Sequence, residues 1–277
     1  MAWCIVPFDG KQRTPRERAE LLPKIGLHRL AYDYRDEHLP TFSEELDLFA
    51  VHNIELTACM ILGDGQDPGS QAIFNELITR NLRPQLWWIV DCGSEVPPPL
   101  PAGEQAARVA QFADILRPMV EKTAAAGFPV ALYNHGGWFG EPENQIQIIE
   151  KLGFPHMGMV YNFHHAHHHI SRFASLWSQA HPHVLAINLN GMVENGPALG
   201  KKILPIGLGD HETEMMAIVE RSGWHGPVGV LNHTDCDAEA RLLDNLDGLR
   251  RIRAGDTTFS ENHPPLRSWN GADILCT

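Results

Sequence analysis

The chain has 277 residues, 34 acidic against 22 basic side chains, a formal charge of −12 and 43% hydrophobic content. The acidic balance and the want of a Lys/Arg block argue against nucleic acid as the main partner, and no apolar run approaches the ~18 residues of a membrane span. Sixteen histidines are the unusual feature, while five cysteines, odd in number and without a C-x-x-C pair, argue against a disulfide scaffold.

"AWCIVPF" (2–8) is an apolar strand, and "TPRERAELLPKIG" (14–26) a helix with a Thr cap, Pro at its first position and Gly at its end. Strand "LHRLAYDY" (27–34), helix 41–53 and strand "IELTACMIL" (54–62) continue the alternation. A helix at 69–81, strand "PQLWWIV" (84–90) and a long helix over 104–127, with Pro118 a candidate kink, follow. Next come strand "PVALYNH" (129–135), helix 142–153, strand "HMGMVYNF" (156–163) and helix 170–180. Strand "VLAINLN" (184–190), helix 211–223, strand "PVGVLNH" (227–233) and helix 237–255 close the series. Strands separated by helices must run parallel, and about eight such units in roughly 250 residues predict a single (β/α)8 TIM barrel over 1–255, with 256–277 a tail packed outside it. No G-x-G-x-x-G follows the first strand, so no nucleotide cofactor is expected. The Pro-rich stretch 94–104 reads as a rim loop.

In such a barrel the chemistry sits at the C-terminal ends of the strands. Those ends carry Asp9, Asp33 with Arg35, Asp91, Asn134 with His135, Asn162 with His164 and His165, Asn188 with Asn190, and Asn232 with His233. Asn and Asp also serve turns and helix caps for backbone reasons alone. Amides and imidazoles converging on one mouth suit a small polyhydroxylated substrate, whose hydroxyls both donate and accept. Of the five histidines in "FHHAHHHI" (163–170), His165 and His164 are nearest the strand end, and His167, His168 and His169 are expected at the rim. Trp138, in "NHGGWFGEP" (134–142), either stacks on a sugar face or fills the core. In "IGLGDHETEMM" (206–216), Asp210 either caps the next helix or marks a seat of backbone N–H groups for an anionic ligand.

The series "ALYNHGG" (131–137), "GMVYNFHHAH" (158–167), "LAINLNGM" (185–192), "PIGLGDHE" (205–212) and "GPVGVLNH" (226–233) resembles the xylose isomerase-like TIM barrel superfamily. That resemblance implies a sugar or sugar-phosphate isomerase or epimerase, with a divalent ion held by two Glu, an Asp and a His. It is compatible with a homodimer. Here Tyr133 stands where the first Glu would be, Asn162 replaces the Asp, Asn188 and Asn190 fall in the His/Asp region, and Asn232 or His233 lies near the last Glu. Neutral Asn binds a hard dication weakly and cannot act as a base. Either histidines hold an ion such as Mn, Co, Ni or Zn, or the site works without one.

His135, His165 and His233 are then the expected proton carriers, with Tyr133 and Asp33 beside them. Asn134, Asn162, His164, Asn188, Asn190, Asn232, Arg35, Trp138 and Asp210 are expected to contact substrate. The leading expectation is an enzyme moving a proton next to a carbonyl, as isomerases, epimerases and β-eliminating lyases on 3-keto glycosides do. A sugar-binding barrel without catalysis is the alternative, and abasic-site DNA cleavage fits poorly with the acidic charge. Few Lys or Arg near the strand ends disfavour a phosphorylated sugar. The sequence as written has no leader and reads as cytoplasmic, or as periplasmic if a leader was trimmed.

Overall fold

The computed structural model describes residues 1–90, 99–256 and 265–268. Eight parallel strands close into one barrel in sequence order: β1 (Ala2–Trp3), β2 (Arg29–Tyr32), β3 (Glu55–Leu62), β4 (Gln85–Ile89), β5 (Val130–Tyr133), β6 (Met157–Asn162), β7 (Val184–Leu189) and β8 (Val228–Leu231). Around them run α1 (Pro15–Lys24), α2 (Phe42–Val51), α3 (Pro68–Thr79), α4 (Ala102–Ala125), the single turn α5 (Gly137–Gly140), α6 (Pro142–Leu152), α7 (Phe173–Ala180), α8 (Glu212–Arg221) and α9 (Ala238–Arg253). The predicted TIM barrel is the fold found. Asp91 and residues 94–98 of the Pro-rich stretch lie outside the described residues, as does the predicted tail apart from 256 and 265–268, where Ser268 N and Oγ donate to the Asp244 carboxylate at 2.8 and 2.7 Å.

Local chemistry sets the element ends. Thr14 and Glu17 form a reciprocal capping box at α1, and Gly153, at φ 70°, ends α6 in the left-handed region. Pro118 does not break α4, whose buried Leu116, Met119 and Val120 hold it against the barrel on either side. The first strand is shorter than predicted, because Cys4 leaves the extended region at φ 53°.

Alternation along the strands sorts the side chains into two cores. Leu30, Tyr32, Val130, Leu132, Met159, Tyr161, Ile187 and Val230 face outward and meet the helices. Ala31, Ala131, Tyr133, Val160, Ala186 and Leu231 face inward with Trp3, Cys4, Met60 and Trp87, and fill the lumen beneath the mouth. Among the described residues, no helix is long and apolar enough to cross a membrane.

Candidate functional site

The same alternation decides what each strand end offers. Asp33 continues the inward row of Ala31, and His135 that of Ala131 and Tyr133. Asn162 continues that of Val160, Asn188 and Asn190 that of Ala186, and His233 that of Leu231. The rings of His135 and His165 lie 4.3 Å apart, those of His164 and His165 3.7 Å, and those of His164 and His233 5.1 Å. Tyr133 sits 6.1 Å from the His135 ring and 6.0 Å from that of His165. Arg35 lies over Phe8 at 5.4 Å, and Phe8 stacks on His233 at 4.1 Å, which joins that arginine to the cluster. The structure therefore brings Asp33, Arg35, Tyr133, His135, Asn162, His164, His165 and His233 together, with Asn188 in register beside Asn162.

Several of these groups wait for a partner. Asp33 is 1% exposed, yet neither carboxylate oxygen has a hydrogen-bond partner of normal geometry. Burial raises its pKa from 3.8 to about 6, against the pull of Arg35. The Tyr133 hydroxyl accepts from Trp3 Nε1 at 3.2 Å and from Asn162 Nδ2. With both lone pairs engaged, its own proton is left to donate. The Asn162 carbonyl faces His164 Nδ1 at 2.8 Å, so that nitrogen carries the proton and His164 Nε2, which has no partner, is a free acceptor. His165 Nε2 and both amide atoms of Asn188 are likewise buried without partners. Asn188 has room only because residue 229 is glycine: a Cβ there would stand 1.9 Å from Asn188 Oδ1.

Other predicted residues are placed differently. Asn134 and Asn232 fall on the outward parity, and their amides tie neighbouring strands and loops together. Asn134 Oδ1 accepts from Asn162 N at 2.7 Å and its Nδ2 donates to Asn162 O at 3.2 Å, while Asn232 donates to Phe8 O and accepts from Thr234 Oγ1 at 2.9 Å. In each Asn-His pair the asparagine is a latch and the histidine faces the mouth. Asn190 donates to Gly191 O at 2.8 Å and Lys202 O at 3.1 Å, leaving only its Oδ1 without a partner. Trp138 is 5% exposed, stacks on Phe112 at 5.4 Å and donates to Gln105 Oε1 at 2.9 Å; it fills the layer under α4 and is not a sugar platform. Asp210 is exposed and makes no side-chain cap, since α8 starts from His211 without one. The expected anion seat is real but filled: the buried Glu212 carboxylate accepts from Met192 N and Gly207 N at 2.8 Å and from Gly209 N at 2.9 Å.

Two residues at the mouth escape a reading of strand ends. Cys4 is hidden in an apolar run, yet its Sγ lies 3.4 Å from His233 Nδ1 and against Asp33. Both Cys4 and His233 hold positive φ, 53° and 46°, where the first and last strands meet. Lys202 comes from the long segment between β7 and α8, and its charge bears on His164, His165 and His233. With Arg35, it corrects the expectation of a mouth poor in cations.

The family's divalent ion can be tested against these donors. The positions of its carboxylates hold Tyr133, Asn162, Asn188 or Asn190, and Asn232 or His233, and the amides of Asn162 and Asn232 are already spent on internal bonds. Among the described residues, three His, Cys, Asp or Glu ligand atoms converge within 4.8 Å at Glu141, His168 and His169, away from this cluster. The mouth does not fit that ion site.

Burial fixes the acid behaviour. Desolvation holds His164 and His165 well below 6.5 and His233 at about 4, so all three are neutral at pH 7. The unfolded chain takes up these protons as pH falls below about 6.5 while the fold does not, so histidine-linked stability is lost on acidification. For His233 this is about 3 kcal/mol; Asp33, shifted upward, returns about as much between pH 6 and 3.8, so His164 and His165 set the sign. Urea unfolding is expected to show lower stability at pH 4.5 than at pH 7, and a His164→Gln/His165→Gln variant to lose most of that fall. Equal stability at both values in the native chain would contradict the burial of these rings.

The family model for the xylose isomerase-like TIM barrel matches residues 89–252. Among solved structures, a 3-keto-D-glucoside 4-epimerase from E. coli aligns with a TM-score of 0.65 and 13% identity over 91% of this chain and 98% of its own. The IOLI protein with a bound zinc atom aligns at 0.67 and 14% identity, covering 93% and 98%. An L-ribulose 3-epimerase aligns at 0.62 and 14%, covering 91% and 94%. At these identities the likeness is one of fold. No curated protein sequence matches this one.

Proposed function

We propose, from the premise that this chain belongs to the xylose isomerase-like TIM barrel family, that it is a carbohydrate-active enzyme moving a proton next to the carbonyl of a sugar or keto-glycoside. The observation that carries this is the Asp33 carboxylate, buried with only the weakly donating Cys4 thiol set against it and shifted to about 6, on the same mouth as a tyrosine hydroxyl whose proton is uncommitted. A base poised near the working pH is what removal of an acidified C–H proton needs. Asp33, ionised above pH 6, takes that proton, and the C–H electron pair moves into the carbonyl to give an enediolate. Tyr133, itself donated to by Trp3 and Asn162, gives its hydrogen bond to the developing oxyanion. His164 and His165, neutral and with open Nε2 positions, accept hydrogen bonds from substrate hydroxyls, and the proton returns to carbon from the protonated Asp33 carboxyl or from a water that this carboxyl reprotonates. Return to the opposite face gives epimerisation, return to the neighbouring carbon gives isomerisation, and loss of a β-substituent gives elimination.

The structural relatives that act on sugars, among them the 3-keto-glucoside and ribulose epimerases, support the substrate class. The test is proton NMR of keto sugars and 3-keto glycosides incubated with the protein in D2O. Deuterium is expected to enter beside the carbonyl, and Tyr133→Phe to slow entry by about 10²–10³-fold, the usual cost of one oxyanion donor. Calorimetric binding of these sugars without any exchange would replace the enzyme with a sugar-binding barrel.

A further inference from the structure

The mouth uses only His164 and His165 of the histidine run. His167 faces Val193 O at 2.8 Å and Lys202 O at 2.9 Å, and so pins the segment after β7. His168 and His169 stand outside the barrel, beside Tyr161 on the outward face of β6 and Glu141 between α5 and α6. We propose that Glu141, His168 and His169 bind a borderline divalent cation, zinc, cobalt or nickel, at a site separate from the mouth.

One ligand atom from each lies within 4.8 Å of the others. His169 Nε2 is 3.4 and 3.3 Å from the two Glu141 oxygens. That is long for a charge-assisted hydrogen bond, at about 2.7–2.9 Å, and close to the ~3.3 Å that separates two ligand atoms on a tetrahedral zinc with bonds of ~2.0–2.1 Å. His168 Nε2 sits nearer, 2.7 Å from Glu141 Oε1, but its side chain is 30% exposed and can swing outward to the same spacing. The other nitrogen of His169 meets the Tyr161 hydroxyl at 2.9 Å, the outer partner that orients a ligating imidazole. Imidazole and carboxylate together suit borderline ions, and the exposed side of His168 leaves a fourth position to water.

The charges permit a dication. Arg172 donates to Glu141 Oε2 at 2.7 Å and also bonds Glu143, so one guanidinium faces two carboxylates and the surroundings carry one net negative charge. Glu141 Oε1 is met by the two imidazoles and not by the guanidinium, so it turns to the ion when His168 swings outward. A bound ion would clasp the segment after β5 to the turn after β6, the two stretches that present His135 and His165 to the mouth.

Calorimetry with ZnCl2, and visible absorption with CoCl2, on untagged full-length protein stripped of metal would test this. One equivalent is expected, with binding lost from the measurable range in His168→Ala, a partly exposed position whose truncation leaves the core intact. Tyr161→Phe is expected to weaken it about tenfold. Arg172→Gln should tighten it several-fold, because a repelled charge is removed; a purely structural network would show no such gain. His164→Gln/His165→Gln should bind as the native chain does. Uptake unchanged in His168→Ala, uptake lost only in the mouth variant, or no uptake at all would each overturn the site.

Discussion

Asparagine at position 33 is expected to abolish proton exchange while making the protein more stable. Asp33 is 1% exposed, and its pKa is raised from 3.8 to about 6 by desolvation. A carboxyl with a raised folded-state pKa destabilises the fold above that pKa, and the penalty fades as pH falls below the unfolded value. The shift corresponds to about 3 kcal/mol at pH 7.5, an upper figure for the gain in Asp33→Asn. Exchange should fall about 10³-fold or more, since an amide cannot accept the C–H proton. Urea unfolding at pH 7.5 and at pH 4 checks the first half: the stability gain should be present at 7.5 and mostly gone at 4. A variant that is less stable at pH 7.5 would mean that Asp33 has a structural partner; one that still exchanges would move the base elsewhere.

Glu212→Ala should be among the most damaging substitutions, although its carboxylate touches no group of the mouth. Its loss would leave the N–H groups of Met192, Gly207 and Gly209 buried and unpaired. At roughly 1–3 kcal/mol for each orphaned donor, a loss of about 4 kcal/mol is expected, partly relieved if water enters. Glu212→Gln, which keeps one acceptor oxygen, should fall between. Denaturant midpoints give the energies, and amide hydrogen exchange at residues 192, 207 and 209 shows whether the damage is confined to the segment between β7 and α8. A loss under about 1 kcal/mol would mean that the three donors find other partners.

The barrel was legible because its alternation of apolar strands and capped helices is a local signal repeated along the chain, and each repeat reinforces the others. Thr14 and Pro15 open α1 as expected, and Gly26, at φ 78°, follows its end. The site was legible only in part. Asp33, His135, His165 and His233 lie at strand ends, where the fold rule looks. The Asn-His pairs misled as substrate contacts because adjacent strand residues face opposite ways, a parity that assigns Asn134 and Asn232 to the backbone. Trp138 could not be placed, since a single helical turn after β5 rotates it toward α4. Lys202 lies in a segment without periodicity and Cys4 inside an apolar run, so neither carries a local mark of its position. Glu212 carries no local mark of its role either, because the Met192 amide it binds is 20 residues away.

The positive φ angles of Cys4 and His233 have a bearing on how the molecule acquires its chemistry. These two residues are 229 positions apart, and they touch only because strand eight lies against strand one. Non-glycine residues in that backbone region are held there by their surroundings, at a cost of order 1–3 kcal/mol each. Neither surrounding exists until the last strand has docked against the first. The mouth is thus a product of ring closure: a nascent or truncated chain can carry most of the barrel's strands and helices and still lack the junction that sets His233 against Cys4. Contacts of such sequence separation form late, so competence for chemistry and completion of the fold arrive in the same event.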